Sequence, residues 1–171
     1  MRIVPEAETD LFRPPDGSPG RDNAALLFTE VSGDFTAVTR LEAELVGFGD
    51  AGALVVRSSP TVWAKLCLER SPIGDIAVVS VVTRGVSDDC NGELLESPEC
   101  YLRIARRGDV FGMHHSTDGE VWRFARTFQM SAPDPILVGI QAQAPFVGGS
   151  SATFHSLAIA PGAVKDFRSG E

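Results

Sequence analysis

Strict alternation of apolar and polar side chains is the feature that most limits how this chain can fold. In the segment 35–45 the odd-numbered residues are mostly apolar and the even-numbered residues mostly polar. The segment 61–69 repeats the pattern, with apolar residues at its even-numbered positions and a mixed set at Trp63, Lys65, Cys67 and Glu69. A period of two places successive side chains on opposite faces of a strand. Both segments are therefore predicted to be half-buried antiparallel strands.

Turn residues separate further segments of this kind along the chain. Asp118-Gly119 lies between two alternating segments, which is a strong hairpin signal. Ten strands are predicted, near 24–29, 35–45, 53–58, 61–69, 76–83, 100–105, 110–116, 121–128, 136–143 and 152–159. The stretch 85–99 is predicted to be a long loop, and no segment has a convincing amphipathic helical period. This spacing predicts an all-β fold, a two-sheet antiparallel jelly-roll sandwich.

Length and turn content predict the domain organisation. A chain of 171 residues is expected to form one domain with a sizeable core. Residues 1–23 are expected to be rich in loops because prolines and glycines crowd residues 13–20. The tail 165–171 is expected to be frayed. The predicted interior contains large apolar residues from the alternating segments: Phe35, Leu41, Leu66, Leu68, Leu102, Ile104 and Ile140.

Charge and cysteine content limit which kinds of partner and which cellular compartment are expected for this chain. A net charge of −8 argues against nucleic acid and against an anionic membrane as partner, since both require a basic surface. No signal-like or membrane-spanning run is apparent, so a cytoplasmic location is expected. The three cysteines, Cys67, Cys90 and Cys100, are odd in number and form no CxxC pair, which indicates free thiols. A Cys90–Cys100 bridge remains an alternative for an oxidising compartment.

The order of short motifs resembles a known family over roughly residues 9–160. The motifs are Thr9-Asp10-Leu11-Phe12, Ser32-Gly33-Asp34-Phe35, Asp50-Ala51-Gly52-Ala53-Leu54, Trp63-Ala64-Lys65, the segment 80–88, Leu102-Arg103-Ile104-Ala105-Arg106, the segment 116–122, Val138-Gly139-Ile140-Gln141-Ala142 and Ala152-Thr153-Phe154. Together they resemble the domain-of-unknown-function family 1349, which includes the regulation-of-enolase proteins. The resemblance implies a concanavalin A-like lectin/glucanase sandwich with one concave sheet. It implies no particular reaction.

The mixed face of the segment 61–69 is the candidate binding surface. Trp63 could stack on a sugar ring, with Lys65 and Glu69 bonding hydroxyl groups, although a covering segment would make Trp63 ordinary core. Further candidates around the same groove are Thr83, Ser87, Asp88, Arg103 and Gln141. If Trp63 is an exposed platform, Trp63→Ala should change stability by no more than about 1 kcal/mol.

Three functions are compatible with the sequence. The favoured one is a non-catalytic module that binds a carbohydrate or another small polyhydroxylated ligand. An alternative is a regulatory protein that binds a protein partner through the same face. A glycoside hydrolase or lyase is the third, and Glu42 and Glu44, about 7 Å apart on one face, are its best carboxylate pair. Neither a catalytic signature nor a cofactor motif is found, and His114 and His115, being adjacent in a strand, point to opposite faces and cannot share a metal ion.

Overall fold

The structure, a computed structural model, describes all of residues 1–171 and consists of strands joined by turns and loops. No helix that could span a membrane is present. The strands are β1 (Arg2–Ile3), β2 (Leu11–Phe12), β3 (Arg21–Asp22), β4 (Leu26–Val31), β5 (Phe35–Glu44), β6 (Ala51–Ser59), β7 (Val62–Arg70), β8 (Ile76–Arg84), β9 (Val86–Leu95), β10 (Glu99–Arg107), β11 (Val110–Ser116), β12 (Arg123–Gln129), β13 (Ile136–Gln143) and β14 (Ser151–Pro161).

Two six-stranded antiparallel sheets form the sandwich. Sheet I has the order β1-β14-β5-β10-β11-β12, and sheet II has the order β4-β13-β6-β7-β8-β9. The pairs β4–β13, β5–β14 and β5–β10 join strands that are distant in sequence. Hairpins alone cannot produce this arrangement, which is that of a concanavalin A-like jelly roll. The predicted fold class is confirmed.

The interior lies between the two sheets. Twenty-four buried residues form one apolar cluster there, with Leu54, Leu66 and Ile140 from sheet II and Leu41 and Leu102 from sheet I. All the residues that were predicted to lie inside are buried. The alternation along β5 and β7 therefore reports correctly which side chains face the opposite sheet.

The sequence predicted a long loop over residues 85–99. This prediction is wrong, because the stretch contains the edge strand β9. Val86–Leu95 pairs antiparallel with β8 and is exposed over most of its length. The sequence analysis predicted a loop because polar residues such as Asp88, Asp89 and Asn91 are depleted in strands with a buried face. Polar and charged residues are common in edge strands, and β9 is an edge strand because it pairs with β8 alone.

The C-terminal tail is packed rather than frayed. His114 Nε2 lies 2.8 Å from the carbonyl oxygen of Phe167, and Arg103 Nη2 donates to the carbonyl oxygen of Gly170 at 2.7 Å. Arg168 stacks over the ring of Phe124, with its guanidinium carbon 4.4 Å from the ring centroid. These contacts hold residues 166–171 on the outer face of sheet I.

The three thiols are free in the structure. Cys67 and Cys100 are buried in strands of different sheets, whereas Cys90 is exposed on β9. Burial raises the pKa of the Cys100 thiol to about 12, which makes it unreactive at neutral pH.

Candidate functional site

The outer face of sheet II, which turns away from sheet I, carries a second apolar cluster. Trp63 belongs to it and is fully buried, with a relative exposure of 0%. Leu11 of β2 packs in the same cluster, together with Val55, Cys67 and Val79 of the sheet. The prediction that Trp63 forms an exposed stacking platform is therefore wrong. The N-terminal segment covers this part of the sheet, because the β2–β3 ribbon lies across it.

Thr83 and Ser87 attach the N-terminal segment to sheet II. Their hydroxyl oxygens are 2.8 Å apart, and both residues are buried. Ser87 Oγ accepts a hydrogen bond from the Arg13 backbone N–H at 3.0 Å, and the Ser87 N–H donates to the Arg13 carbonyl at 2.8 Å. The hydroxyl groups of Thr83 and Ser87 are therefore used in hydrogen bonds within the protein that hold the N-terminal segment on sheet II.

The part of the outer face that the ribbon leaves open is a pocket of about 180 Å³. Its floor comes from β7, β8, β9 and β13, and its walls come from the N-terminal segment and from the two loops at one end of the sheet. The lining residues are Asp10, Phe12, Phe48, Gly49, Lys65, Glu69, Val79, Val81, Asp89, Gln143, Pro145 and Phe146. Lys65 and Glu69 are the two candidates from the sequence that line it.

Lys65 is the charged centre of the floor and is 1% exposed. Its ammonium donates to Gln143 Oε1 at 2.7 Å and to Asp10 Oδ1 at 3.3 Å. Burial disfavours the charge of Lys65, but the coulombic effects of Cys67, Asp10 and Glu69 together outweigh it and raise its pKa. Burial also raises the pKa of the Cys67 thiol, which is therefore uncharged at neutral pH, so the negative charge beside Lys65 comes from the carboxyl groups. Lys65 is therefore protonated at neutral pH and is already compensated from within the protein.

Glu69 lies on the same face of β7 and has no such compensation. Its carboxylate forms no hydrogen bond or ion pair with another group of the protein, although it lines the pocket. Burial raises the pKa of Glu69 to about 7, and the nearby Asp10 and Asp89 add to the increase while Lys65 opposes it. Glu69 therefore changes its protonation state near neutral pH.

Two phenylalanines form the rim of the pocket. Phe48 and Phe146 stack with their ring centroids 5.4 Å apart and remain 47% and 57% exposed. The buried side chain of Asp50 closes the loop that carries Phe48, since its Oδ2 accepts hydrogen bonds from the N–H groups of Val46 and Gly47 at 2.9 and 2.7 Å. These hydrogen bonds shape the loop that carries Phe48, and the stacking contact joins Phe48 to Phe146 of the other loop.

Gln141 is next to the pocket and supports it. It is fully buried, and its amide nitrogen donates to Gln143 Oε1 at 3.0 Å, the same oxygen that accepts from Lys65. The amide nitrogen of Gln143 in turn donates to the Gly49 carbonyl at 3.0 Å. This chain of hydrogen bonds connects the polar floor with the loop that carries Phe48.

Asp88 and Arg103 lie outside the pocket. Asp88 is exposed on β9 and pairs with Arg126 of sheet I at 2.9 Å. Arg103 lies on the outer face of sheet I, where it stacks on Trp122 with its guanidinium carbon 4.1 Å from the ring centroid. The two sheets separate Arg103 from the pocket, so the prediction that it borders the same groove is wrong.

The remaining polar groups from the sequence do not join the pocket. Glu42 and Glu44 lie on the outer face of sheet I, where Glu42 is 3.4 Å from His155 and Glu44 is 2.9 Å from Arg2. His114 and His115 face opposite sides of β11, as their adjacency requires. No group of three or more His, Cys, Asp or Glu side chains is arranged to hold a metal ion.

Sequence reasoning missed most of the residues that line the pocket. Asp10, Phe48 and Asp89 come from three separate parts of the chain, and Gln143 and Phe146 come from a fourth, so only the pairing of distant strands brings them together. One signal was present in the sequence: Phe48 and Phe146 are large apolar residues in glycine-rich turns, where a core residue is not expected.

The two antiparallel sheets, with their strand order, define a β-sandwich with the fold of lectin-like domains. The legume lectin-like domain from Entamoeba histolytica has the same fold, with a TM-score of 0.61 at 11% identity over 94% of this chain and 89% of that domain. Xylan beta-1,4-xylosidase from Bacillus halodurans contains a similar sandwich, with a TM-score of 0.74 and 16% identity. That match covers 92% of this chain but 32% of the xylosidase, so the likeness concerns one part of a larger protein.

The chain belongs to the family described as "Protein of unknown function (DUF1349)", whose sequence profile matches residues 1–162. Regulation of enolase protein 1 from Saccharomyces cerevisiae is 28% identical over 160 residues, which are 93% of this chain and 80% of the yeast protein. The crystal structure of a functionally unknown protein from S. cerevisiae superposes with a TM-score of 0.88 at 26% identity. That superposition covers 94% of this chain and 86% of the yeast one.

Proposed function

We propose that this protein is a non-catalytic binding module that takes a carbohydrate or another small polyhydroxylated ligand in the pocket of sheet II. The observation that carries the proposal is the stacked, half-exposed pair Phe48–Phe146 above a polar floor of Lys65, Glu69 and Gln143. Flat aromatic faces bind the apolar faces of sugar rings, and convergent polar groups bind their hydroxyls. In this proposal Phe48 and Phe146, and not Trp63 as the sequence suggested, stack on the sugar ring.

Burial and volume support a small polar ligand. The pocket volume of about 180 Å³ is more than ten times the roughly 10–15 Å³ that a cavity needs on this measure to hold one water molecule. Glu69 accepts no hydrogen bond within the protein, so a ligand hydroxyl could donate to it without displacing an existing bond. The lectin-like sandwich is compatible with this role.

Isothermal titration calorimetry with neutral monosaccharides, short oligosaccharides and sugar alcohols tests the proposal. A dissociation constant between about 1 mM and 1 µM is expected, which corresponds to about −4 to −8 kcal/mol. Phe48→Ala should weaken binding by about tenfold or more, because each exposed ring supplies stacking area. Phe28→Ala is the matched control, since Phe28 is 50% exposed on β4 and does not line the pocket. Absence of binding across the panel, or equal effects of the two substitutions, would contradict the proposal.

A second candidate function follows from the yeast relative named Regulation of enolase protein 1. In this alternative the exposed rim contacts an enolase through Phe48, Phe146 and Val147, which are exposed apolar residues at one end of sheet II. Titrating the chain into a purified enolase, with binding and turnover both measured, tests it. Loss of the effect in Phe146→Ala but not in Phe28→Ala would favour this role, and absence of any complex would exclude it for that enolase.

A further inference from the structure

The charges around the pocket are unequal. Asp10, Glu69 and Asp89 line it with three carboxyl groups, and Lys65 is the single basic side chain in the lining. Since Lys65 is buried and its ammonium is bonded to Asp10 and Gln143, its charge is balanced before any ligand arrives. What remains for a ligand is a negative site.

Two of these carboxyl groups have no partner within the protein. Glu69 on β7 and Asp89 on β9 form no hydrogen bond or ion pair through their side chains, and both face the pocket. Glu69 is partly removed from water, which is unfavourable for a carboxylate without a partner, and a bound cation or hydroxyl group relieves that cost. Asp89 is exposed and adds negative charge at the edge of the pocket. The position of these two groups therefore specifies what the ligand should supply.

The aromatic rim adds to the same preference. The faces of phenylalanine rings carry partial negative charge, and they attract ammonium groups within about 6 Å of the ring centroid. Phe48 and Phe146 are exposed at the pocket mouth, beside a floor that has a surplus of carboxylates. A sugar ring that carries a protonated amine could contact both the phenylalanine rings and the carboxylates. A ligand with an added carboxylate or phosphate would be repelled by the carboxylates.

We infer that, within the proposed carbohydrate-binding function on which this inference rests, the pocket prefers a sugar that carries a protonated amine over neutral and acidic sugars. The carboxylate of Asp89 would accept hydrogen bonds from the ammonium group, as would the ionised form of Glu69, which a neighbouring positive charge favours. Lys65 would contribute a hydrogen-bonded floor and not an anion site.

Calorimetry at about pH 7 with ring-matched probes tests the inference. The probes are glucose, glucosamine, N-acetylglucosamine and glucuronic acid, with the corresponding galactose series. Glucosamine or galactosamine should bind at least about tenfold more tightly than its neutral parent, and the uronic acid should bind most weakly. The N-acetyl sugar keeps a substituent at the same carbon without the charge, so it should lose the advantage. The advantage should also shrink as salt is added.

Adjacent aspartates on β9 provide a matched pair of variants. Asp89→Asn should reduce the ratio of amine to neutral affinity, whereas Asp88→Asn should not, because Asp88 pairs with Arg126 outside the pocket. Glu69→Gln should also reduce this ratio, because glutamine keeps an oxygen that accepts a hydrogen bond from a hydroxyl group but removes the charge that attracts an ammonium group. Thermal unfolding of each variant shows whether it is folded.

The outcomes separate the inference from the proposed function. If neutral sugars bind and the amino sugars bind no more tightly, the inference is overturned and the proposed function stands. A preference for amines that survives both Asp89→Asn and Glu69→Gln also overturns it, because the amine would then lie elsewhere. If none of the sugars binds, the proposed function fails and the inference fails with it.

Discussion

At the scale of single residues, strand alternation specifies a face but not its exposure. Trp63 and Lys65 were placed correctly on the face of β7 that turns away from the sheet interface. Both are nevertheless almost completely buried, Trp63 under the N-terminal segment and Lys65 at the floor of the pocket. The difference arises because a third layer, which no local period reveals, covers this face.

Trp63→Ala is now expected to destabilise the protein strongly. Removing a fully buried indole from the cluster with Leu11 and Val55 should lower the free energy of unfolding by about 3–5 kcal/mol. Urea denaturation followed by far-ultraviolet circular dichroism measures the change. Phe48→Ala, which truncates a half-exposed ring, serves as control and should stay within about 1 kcal/mol. A small effect of Trp63→Ala would indicate that the ribbon does not cover Trp63 in solution.

Glu69 should make stability depend on pH. Its pKa is about 7 in the folded protein and 4.5 as the ordinary value, so the folded state binds more protons than the unfolded state between these values. Its contribution to stability is therefore largest near the lower pH and is lost as the pH rises through 7.

Comparison with Glu69→Gln isolates that contribution, because other titrating groups cancel in the difference. The variant should gain stability relative to the wild type between about pH 5 and pH 8, by on the order of 2 kcal/mol. Glu30→Gln, at an exposed position of β4, should show no such gain. Parallel pH profiles for wild type and Glu69→Gln would contradict the assignment of a raised pKa to Glu69.

At the scale of elements, the two chain termini act as parts of the sandwich. The N-terminal ribbon is attached through Ser87 and through an isolated bridge between Thr9 and Ala144, and it forms one wall of the pocket. The tail is attached through Arg103 and His114 on the opposite side of the molecule. Each terminus covers the outer face of one sheet, so neither could be recognised as structured from its own sequence, which is rich in turn residues.

Deletion of residues 165–171 tests the role of the tail. Burial lowers the pKa of His114 to about 4, and contact with the tail is part of that burial. Deleting the tail removes part of that burial, and it also removes the hydrogen bond to the Phe167 carbonyl and the charge of Asp166, both of which raise the pKa. Because burial is the largest of these causes, the pKa of His114 should rise on balance toward its ordinary value of 6.5, which a nuclear magnetic resonance titration of the imidazole detects. Sugar binding should be unchanged, because the pocket lies on the other sheet. A pKa of His114 that stays near 4 would show that sheet I alone desolvates the ring.

At the scale of the whole molecule, stability resides in the layer between the sheets. Leu66 is fully buried in the large cluster that both sheets share. Leu66→Ala should lower the free energy of unfolding by about 2–5 kcal/mol, the sum of lost apolar burial and the remaining cavity. Leu94→Ala is the matched control, since Leu94 is 58% exposed on the edge strand β9 and should change stability by no more than about 0.5 kcal/mol. Equal effects of the two substitutions would be inconsistent with the sandwich core.

The sequence alone determined the strands and the side chains that face the core. The period of two in β5 and β7 and the Asp-Gly turn at 118–119 are local features, and local features are sufficient to define a strand and its inner face. The order of motifs further indicated the family and hence the sandwich. Strand β9 was an exception, because its polar residues carry no hydrophobic period. The two-residue strands β1, β2 and β3 were also not predicted, because they are too short to show any period.

Only the tertiary structure decided where the site lies. The pocket joins Asp10, Phe48, Asp89 and Phe146, which are far apart in the sequence, around Lys65. Their proximity depends on the pairing of β6 with β13, on the edge position of β9 and on the path of the N-terminal segment. These features of the topology depend on burial of the whole sheet and on contacts between residues that are far apart in sequence, so no local pattern reveals them. The same features brought Phe48 and Phe146 together at the rim and moved Trp63 from the predicted surface into the core.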